Sequence, residues 1–246
     1  MTAWQGYLIL FGSGLIAGTL NVLAGGGSFL TLPLLIFLGL PATVANGTNR
    51  VGILFQNVGA VWGFNRHRVL DWRWALWAAA PATAGAVLGT WGALLVGDQA
   101  FKRILAFLMV GITAWTLLDS RSVSRRSSRE PRLALALGGF FLVGIYGGFV
   151  QAGVGFLILA ATTLAGLDLV RGNAVKVLSI LCFTVVSLGI FAASGKVDWP
   201  MGLALAAGTV LGGQLGVRLT VLKGHAWVKG VVTIAVVIFA LKLWFS

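Results

Sequence analysis

Of 246 residues only six are acidic, two are histidine and one is cysteine. Each shortage excludes something. A lone cysteine, Cys182, allows no intramolecular disulfide, and within an apolar run it reads as a packing residue. The histidines, His67 and His225, lie in loops without a second ligand at metal spacing. The acids are Asp71, Asp98, Asp119, Glu130, Asp168 and Asp198, and all fall in or beside loops. A mid-membrane carboxylate relay for protons, or a sodium site built on carboxylates, is therefore not expected. There is no Ser-His-Asp set and no phosphate-cradling glycine loop followed by lysine. No catalytic residue, metal or cofactor is expected, nor an ATP-driven pump in this chain. Charge is scarce altogether, at 10% of residues against about 25% in soluble domains.

What the sequence has instead is apolar length. Hydrophobic residues make up 58% of the chain, in recurring runs that reach the ~18 residues of a membrane-crossing helix. This describes a multi-pass membrane protein without a sizeable soluble domain. The first apolar run, Tyr7 to Leu23, has no basic leader and no clear cleavage site, so it is expected to belong to the mature fold. The net charge of +12 does not indicate nucleic acid here. Most Lys and Arg lie between apolar runs, where they set topology. Ten tryptophans, among them Trp4, Trp72, Trp74, Trp199, Trp227 and Trp244, lie mostly near run ends, as interfacial belts do.

The chain also repeats itself. Shifted by 127 positions it aligns with itself without a gap. "VLDW" at 69–72 falls on "KVDW" at 196–199, Asn46 on Asn173, Phe29-Leu30 on Phe156-Leu157, Gly85 and Gly89 on Gly212 and Gly216, and Lys102 on Lys229. Such a repeat is an architectural signal. Each half reads as five apolar pieces, at about 7–23, 28–40, 47–64, 73–96 and 101–118, then 134–150, 155–167, 174–192, 200–217 and 227–245. The division is a first membrane repeat over 1–118, a basic cytoplasmic linker over 119–133 and a second repeat over 134–246. Asp71 and Asp198 have the character of N-caps, with Pro200 at the first helical position. The first two pieces of each half are short and glycine-interrupted, and form either a re-entrant hairpin or two short spans. Basic residues cluster at Arg66, His67, Arg68 and Arg73, in the linker "SRSVSRRSSREPR", at Arg171 and Lys176, and at Arg218, Lys223 and Lys229. Placing these loops in the cytoplasm inverts the halves relative to each other and puts both termini outside. The fold class is thus all-α and integral to the membrane, with two inverted-topology repeats and helices broken at mid-membrane.

The breaks are the candidate site. "AGGGS" at 24–28 and its partner "QAGVG" at 151–155 interrupt apolar runs. Freed backbone groups are tolerated in a membrane only where they are buried or line a polar cavity. The N-terminus of a half-helix offers amides and a positive dipole end to an anion, and glycine lets a ligand approach the backbone. Gly25, Gly26, Gly27 and Ser28 in one half, and Gln151, Gly153 and Gly155 in the other, are the first candidates. Ser28 would either cap the second half-helix or offer its hydroxyl to the ligand. Simple close packing of helices is the competing use of these glycines. "ANGTNR" at 45–50 aligns with "GNAVKV" at 172–177 and adds Asn46, Thr48, Asn49, Arg50, Asn173 and Lys176. For Arg50 and Lys176 the alternative is snorkelling to the interface. Gln56 and Asn57 lie deeper, and Thr184 and Gln214 are weaker candidates. Half-helix N-termini, two cations and the lack of a buried acid all favour a negatively charged substrate.

The stretches "GLIAGTLNVLAGGGSFLTLPLL" and "ANGTNRVGILFQNVGAVWGF", with a degenerate second copy, resemble the sulfite exporter TauE/SafE family of membrane permeases, over essentially the whole chain. That resemblance implies export of sulfite, organosulfonates or other small organic anions across a bacterial-type plasma membrane, by alternating access. It does not fix the substrate. The expected partners are a small anion and the lipid bilayer, with no nucleic acid. A passive anion channel and a scaffold subunit for a partner enzyme are the competing functions. The sequence does not report oligomeric state.

Overall fold

The computed structural model describes residues 3–118 and 133–223. The linker and the last apolar piece, 227–245, with Trp227, Lys229 and Trp244, lie outside the described residues. Among those described, the chain is all α-helical. In order the helices are α1 (Ala3–Ala24), α2 (Ser28–Phe37), α3 (Ala42–Arg66), α4 (Trp72–Leu95), α5 (Asp98–Leu118), α6 (Leu133–Phe149), α7 (Val154–Leu164), α8 (Leu169–Ala193) and α9 (Trp199–Lys223). Nine of the ten expected apolar pieces are therefore helices, close to their expected ends.

Caps explain several of those ends. Asp71 accepts from the Trp74 amide at 3.1 Å and starts α4. Asp198 accepts from the Met201 amide at 3.0 Å and starts α9. Because α9 opens at Trp199, Pro200 is its second residue rather than its first. Asp168 caps α8 through the amides of Val170 and Arg171. The matching position in the first half is Pro41, which has no side-chain acceptor. There Asp98, at the start of α5, reaches across to the amide and hydroxyl of Thr43, at 3.0 and 2.9 Å.

Among the described residues four helices are long and apolar enough to cross a membrane: α1, α4, α8 and α9. Their outer faces carry Trp4, Trp72, Trp77, Trp91 and Trp199 among many exposed apolar side chains. α3 is as long as α8 but far more polar. It is shielded by protein: Gly47 lies against Lys196, Gly52 against Leu205 and Gly63 against Val217, so α3 runs beside α9 along its length.

Packing crosses between the halves. α1 packs on α9, and α6 packs on α4. α3 packs on α9, α8 packs on α4, and α3 packs on α8. Exchanging the halves maps this set onto itself. Small residues let the backbones close in. Gly85 and Gly89 of α4 face Phe141, Ile145 and Phe149 of α6, while their repeat mates Gly212 and Gly216 of α9 face Leu15, Thr19 and Val22 of α1. In both contacts the residue numbers rise together, so α1 runs parallel to α9, and α4 to α6. The small-residue faces thus serve internal packing.

A methyl group at Gly144 would meet the backbone of Ala82, whereas one at Gly189 meets nothing within 4 Å. Gly144→Ala is expected to destabilise the protein by about 1–3 kcal/mol through overpacking. Gly189→Ala is expected to be neutral or slightly stabilising. Thermal unfolding of the purified variants in detergent checks the pair.

Candidate functional site

The two breaks meet. Gly25 (φ +88°) and Gly153 (φ +74°) turn the chain in the left-handed region that glycine enters without strain. A side chain on Gly25 would collide with the backbone of Gly155, and one on Gly153 with the ring of Phe29. The repeat mates Phe29 and Phe156 stack at 6.2 Å between centroids. Gly27 packs back against Ala17 and Asn21 of α1, so the start of α2 lies close to the end of α1. Gly25 to Ser28 and Gln151 to Gly155 are all buried. The glycines therefore do serve close packing, break against break.

A buried helix end leaves carbonyls without partners. Here each half supplies the other. Lys176 of α8 donates to the carbonyls of Asn21 and Val22, at 2.9 and 2.8 Å, in the last turn of α1. Its third bond goes to Asn173 Oδ1 at 2.6 Å. Arg50 of α3 donates through Nη2 to the carbonyls of Gly147 and Gly148, at 3.2 and 2.5 Å, in the last turn of α6. The asparagines repeat the pattern. Asn46 Nδ2 donates to Phe149 O at 2.8 Å, and Asn173 Nδ2 to Leu23 O at 3.5 Å. Cations at helix C-termini also complement the negative dipole end. Arg50 is wholly buried and Lys176 is 1% exposed, so neither snorkels. The Arg50 guanidinium further lies 4.9 Å over the Phe191 ring.

Other candidates join this cluster at one remove. Asn49 Oδ1 accepts from Thr31 Oγ1 of α2 at 2.6 Å. Gln56 Oε1 accepts from Asn21 Nδ2 at 3.2 Å. Gln151 has positive φ (64°) without being glycine, and its Nε2 donates to Thr184 Oγ1 at 2.6 Å. Four other candidates are placed as follows. Ser28 is not the cap of α2: that position is Gly27, with no side-chain cap bond. Thr48 accepts from the Asp198 amide at 2.8 Å, at the far end of α3 from Asn57. Gln214 donates to Gly59 O at 2.8 Å and ties α9 to α3. Asn57 Nδ2 turns to the carbonyl of Ile53 on its own helix, at 2.8 Å.

Sequence reading passed over Asn21, Thr31, Thr90, Ser187 and Tyr146. The Thr90 hydroxyl lies within bonding reach of Ala86 O, Gly148 O and Ser187 Oγ. Tyr146 donates to Ala152 O and pins the second break. Asn21 was findable as a polar residue one turn before the glycines, whereas threonines inside apolar runs carry little signal.

The chemistry of the layer is one-sided. Among the described residues the buried polar set contains Arg50 and Lys176 and no carboxylate. The ion pair among those residues is Arg171 with Asp168, both well exposed. Several buried atoms around the breaks lack a hydrogen-bond partner: Asn46 Oδ1, Asn49 Nδ2, Arg50 Nε and Nη1, Gln56 Nε2 and Gln151 Oε1. The described residues contain no grouping of His, Cys, Asp and Glu able to hold a metal. Buried positive charge with unused donors suits an anion.

Comparison with known proteins gives the family. The chain matches the sulfite exporter TauE/SafE family over residues 10–243 and belongs to it. It is 31% identical to the "Probable membrane transporter protein ORF9" of a Sinorhizobium species, covering 95% of this chain and 90% of that protein. It is 29% identical to a "Probable membrane transporter protein" of Haemophilus influenzae, over 92% of this chain and 89% of the relative. It is 29% identical to the "Probable membrane transporter protein YfcA" of Escherichia coli K12, over 96% and 88%. No solved structure matches. The chain is a multi-pass membrane transporter, not an enzyme.

Replacing Lys176 would remove three buried hydrogen bonds, to Asn21 O, Val22 O and Asn173 Oδ1, although Asn21 O keeps the Gly25 amide. Lys176→Met is expected to destabilise the protein by about 2 kcal/mol or more, read as a lower unfolding temperature in detergent.

Proposed function

We propose that this transporter exports sulfite, or a related sulfur-containing or small organic anion, across a bacterial-type plasma membrane by alternating access. The observation that carries the reading is the pair of buried cations, Arg50 and Lys176, in a layer where the described residues supply no carboxylate. The anion is held where the two breaks meet, at the repeat interface. Asn46 and Asn173 flank it, and the N-terminal ends of α2 and α7 add their dipoles. Gly25 and Gly155 touch in this conformation, so the substrate enters from the flanks of the contact, beside α3 and α8.

The parallel pairs support inverted halves. α3 (Ala42–Arg66) and α4 (Trp72–Leu95) are long and joined by only residues 67–71, which supports their crossing in opposite senses. α1 and α3 both run with α9, and α6 runs with α4. The first helix of one half therefore opposes the first helix of the other. Rocking one half against the other alternates access around the shared break. Together with the basic loops, this reading places the linker in the cytoplasm and both termini outside.

Purified protein in liposomes is expected to give saturable flux of labelled sulfite, competed by sulfoacetate or thiosulfate and not by chloride. Asn46→Ala and Asn173→Ala are each expected to lower flux about ten-fold, as loss of a buried hydrogen bond to a charged group does. Unchanged flux in both would remove the placement, and linear flux without saturation would favour a channel. For topology, a cysteine at Ser127 in a Cys182→Ser background is expected to react with an impermeant maleimide only after the cells are opened.

A further inference from the structure

The two buried cations are not equivalent. Lys176 has three N–H donors and three acceptors within bonding distance: Asn21 O, Val22 O and Asn173 Oδ1. Its capacity is used by the protein itself. Arg50 has five N–H donors. Both of its protein hydrogen bonds leave from Nη2, to Gly147 O and Gly148 O. Nε and Nη1, with three N–H between them, are buried and unpartnered. The residue is 0% exposed, and among the described residues it meets no carboxylate. Its Cζ lies 4.9 Å from the centroid of the Phe191 ring, over which it sits.

Buried donors without partners are rare in native proteins and call for an explanation. A buried charge without a counter-ion is costlier still. One ligand class removes both costs at Arg50: an anion with several acceptor oxygens around one charged centre. At Lys176 such a ligand would have to displace bonds already made. We infer that Arg50 is the ligand that recognises the substrate, taking a multi-oxygen oxyanion through Nε and Nη1, while Lys176 is a positioning residue that holds the end of α1. The transporter then has one oxyanion site on the α3 side of its pseudo-symmetric core, not two equivalent ones. This rests on the anion-transport reading and sharpens it.

Arg50→Lys is the informative variant. A lysine keeps the positive charge and can still reach the carbonyls of Gly147 and Gly148, but it spends two of its three donors there. It therefore tests donor number rather than charge. In liposomes with labelled sulfite, Arg50→Lys is expected to raise KM about ten-fold or more. Lys176→Met is expected to lower the maximal rate and the unfolding temperature while moving KM by less than about three-fold. An Arg50→Lys KM within two-fold of the parent, or a ten-fold KM rise in Lys176→Met alone, would overturn the assignment while leaving anion transport standing. Should Arg50→Lys fail to fold, the parent protein decides by thermal shift at matched ionic strength. Stabilisation by sulfite and not by chloride supports the assignment, and equal stabilisation by both removes it. A parent protein that neither transports nor is stabilised by sulfite or sulfoacetate removes the anion reading itself, and this inference with it.

Discussion

The constraint on which this structure depends is that a helix cannot end inside a membrane unless something takes up its last carbonyls. α1 and α6 both end in the buried centre. Each half of the chain solves the problem for the other, through an asparagine and a cation on its third helix. Lys176 and Asn173 close α1, while Arg50 and Asn46 close α6. Much else follows from this. The closing helix of the first half is polar, so α3 falls short of the apolarity of a membrane span although it is 25 residues long, whereas α8 remains apolar enough to cross. Polar side chains must be screened from lipid, so Arg50, Asn46, Lys176 and Asn173 are buried on the faces of α3 and α8 turned to the protein, while Phe55, Val58 and Trp62 of α3 and Val185 of α8 are exposed. Screening needs close contact, which the glycines of α4, α6 and α9 allow.

The same device gives the centre its sign. Carbonyl-rich helix ends draw cations, and charge brought in to satisfy the backbone remains available to a ligand. Lys176 is a point donor and is saturated by its three acceptors. Arg50 satisfies the equivalent helix end with one nitrogen and has two left over. In the proposed reading, the half that can also bind is the one closed by arginine, whose guanidinium has more donors than lysine's ammonium. The break residues differ in the same spirit. Gly25 takes its positive φ without cost, whereas Gln151 holds φ 64° with a side chain bonded to Thr184. A non-glycine residue in that region costs roughly 1–2 kcal/mol, so the side chain at Gln151 is retained against a local penalty.

How much of this could be read in the sequence follows from which features are local. Helix extents come from apolar periodicity and from caps such as Asp71 and Asp198, and both are written in neighbouring residues. The break positions were legible because glycine in an apolar run is conspicuous. The partners of the third helices were not. Nothing near Lys176 says that it will bond the carbonyl of Asn21, 155 positions away, and backbone acceptors leave no mark in side-chain identity. Lys176 aligns with Asn49 and Arg50 lies one residue further, and the difference between the two cations appears only when donors are counted against acceptors. Asp98 is a similar case: its cap on α3 spans 55 residues and replaces a local cap that Pro41 cannot provide.

The one-sided charge also bears on what drives transport. A carrier coupled to protons or sodium usually needs a carboxylate in its core, and the buried set described here has none. In the proposed reading the substrate's own charge becomes the coupling element. Moving one elementary charge through 100 mV is worth about 2.3 kcal/mol, and a negative interior pushes an anion outward. Each net negative charge leaving at that potential gains roughly forty-fold in concentration ratio at equilibrium. A fixed cation helps here only if it binds the anion without holding it. Arg50 is suited to that, because part of its charge is already engaged by the helix end of α6, which limits how tightly the remaining donors can grip.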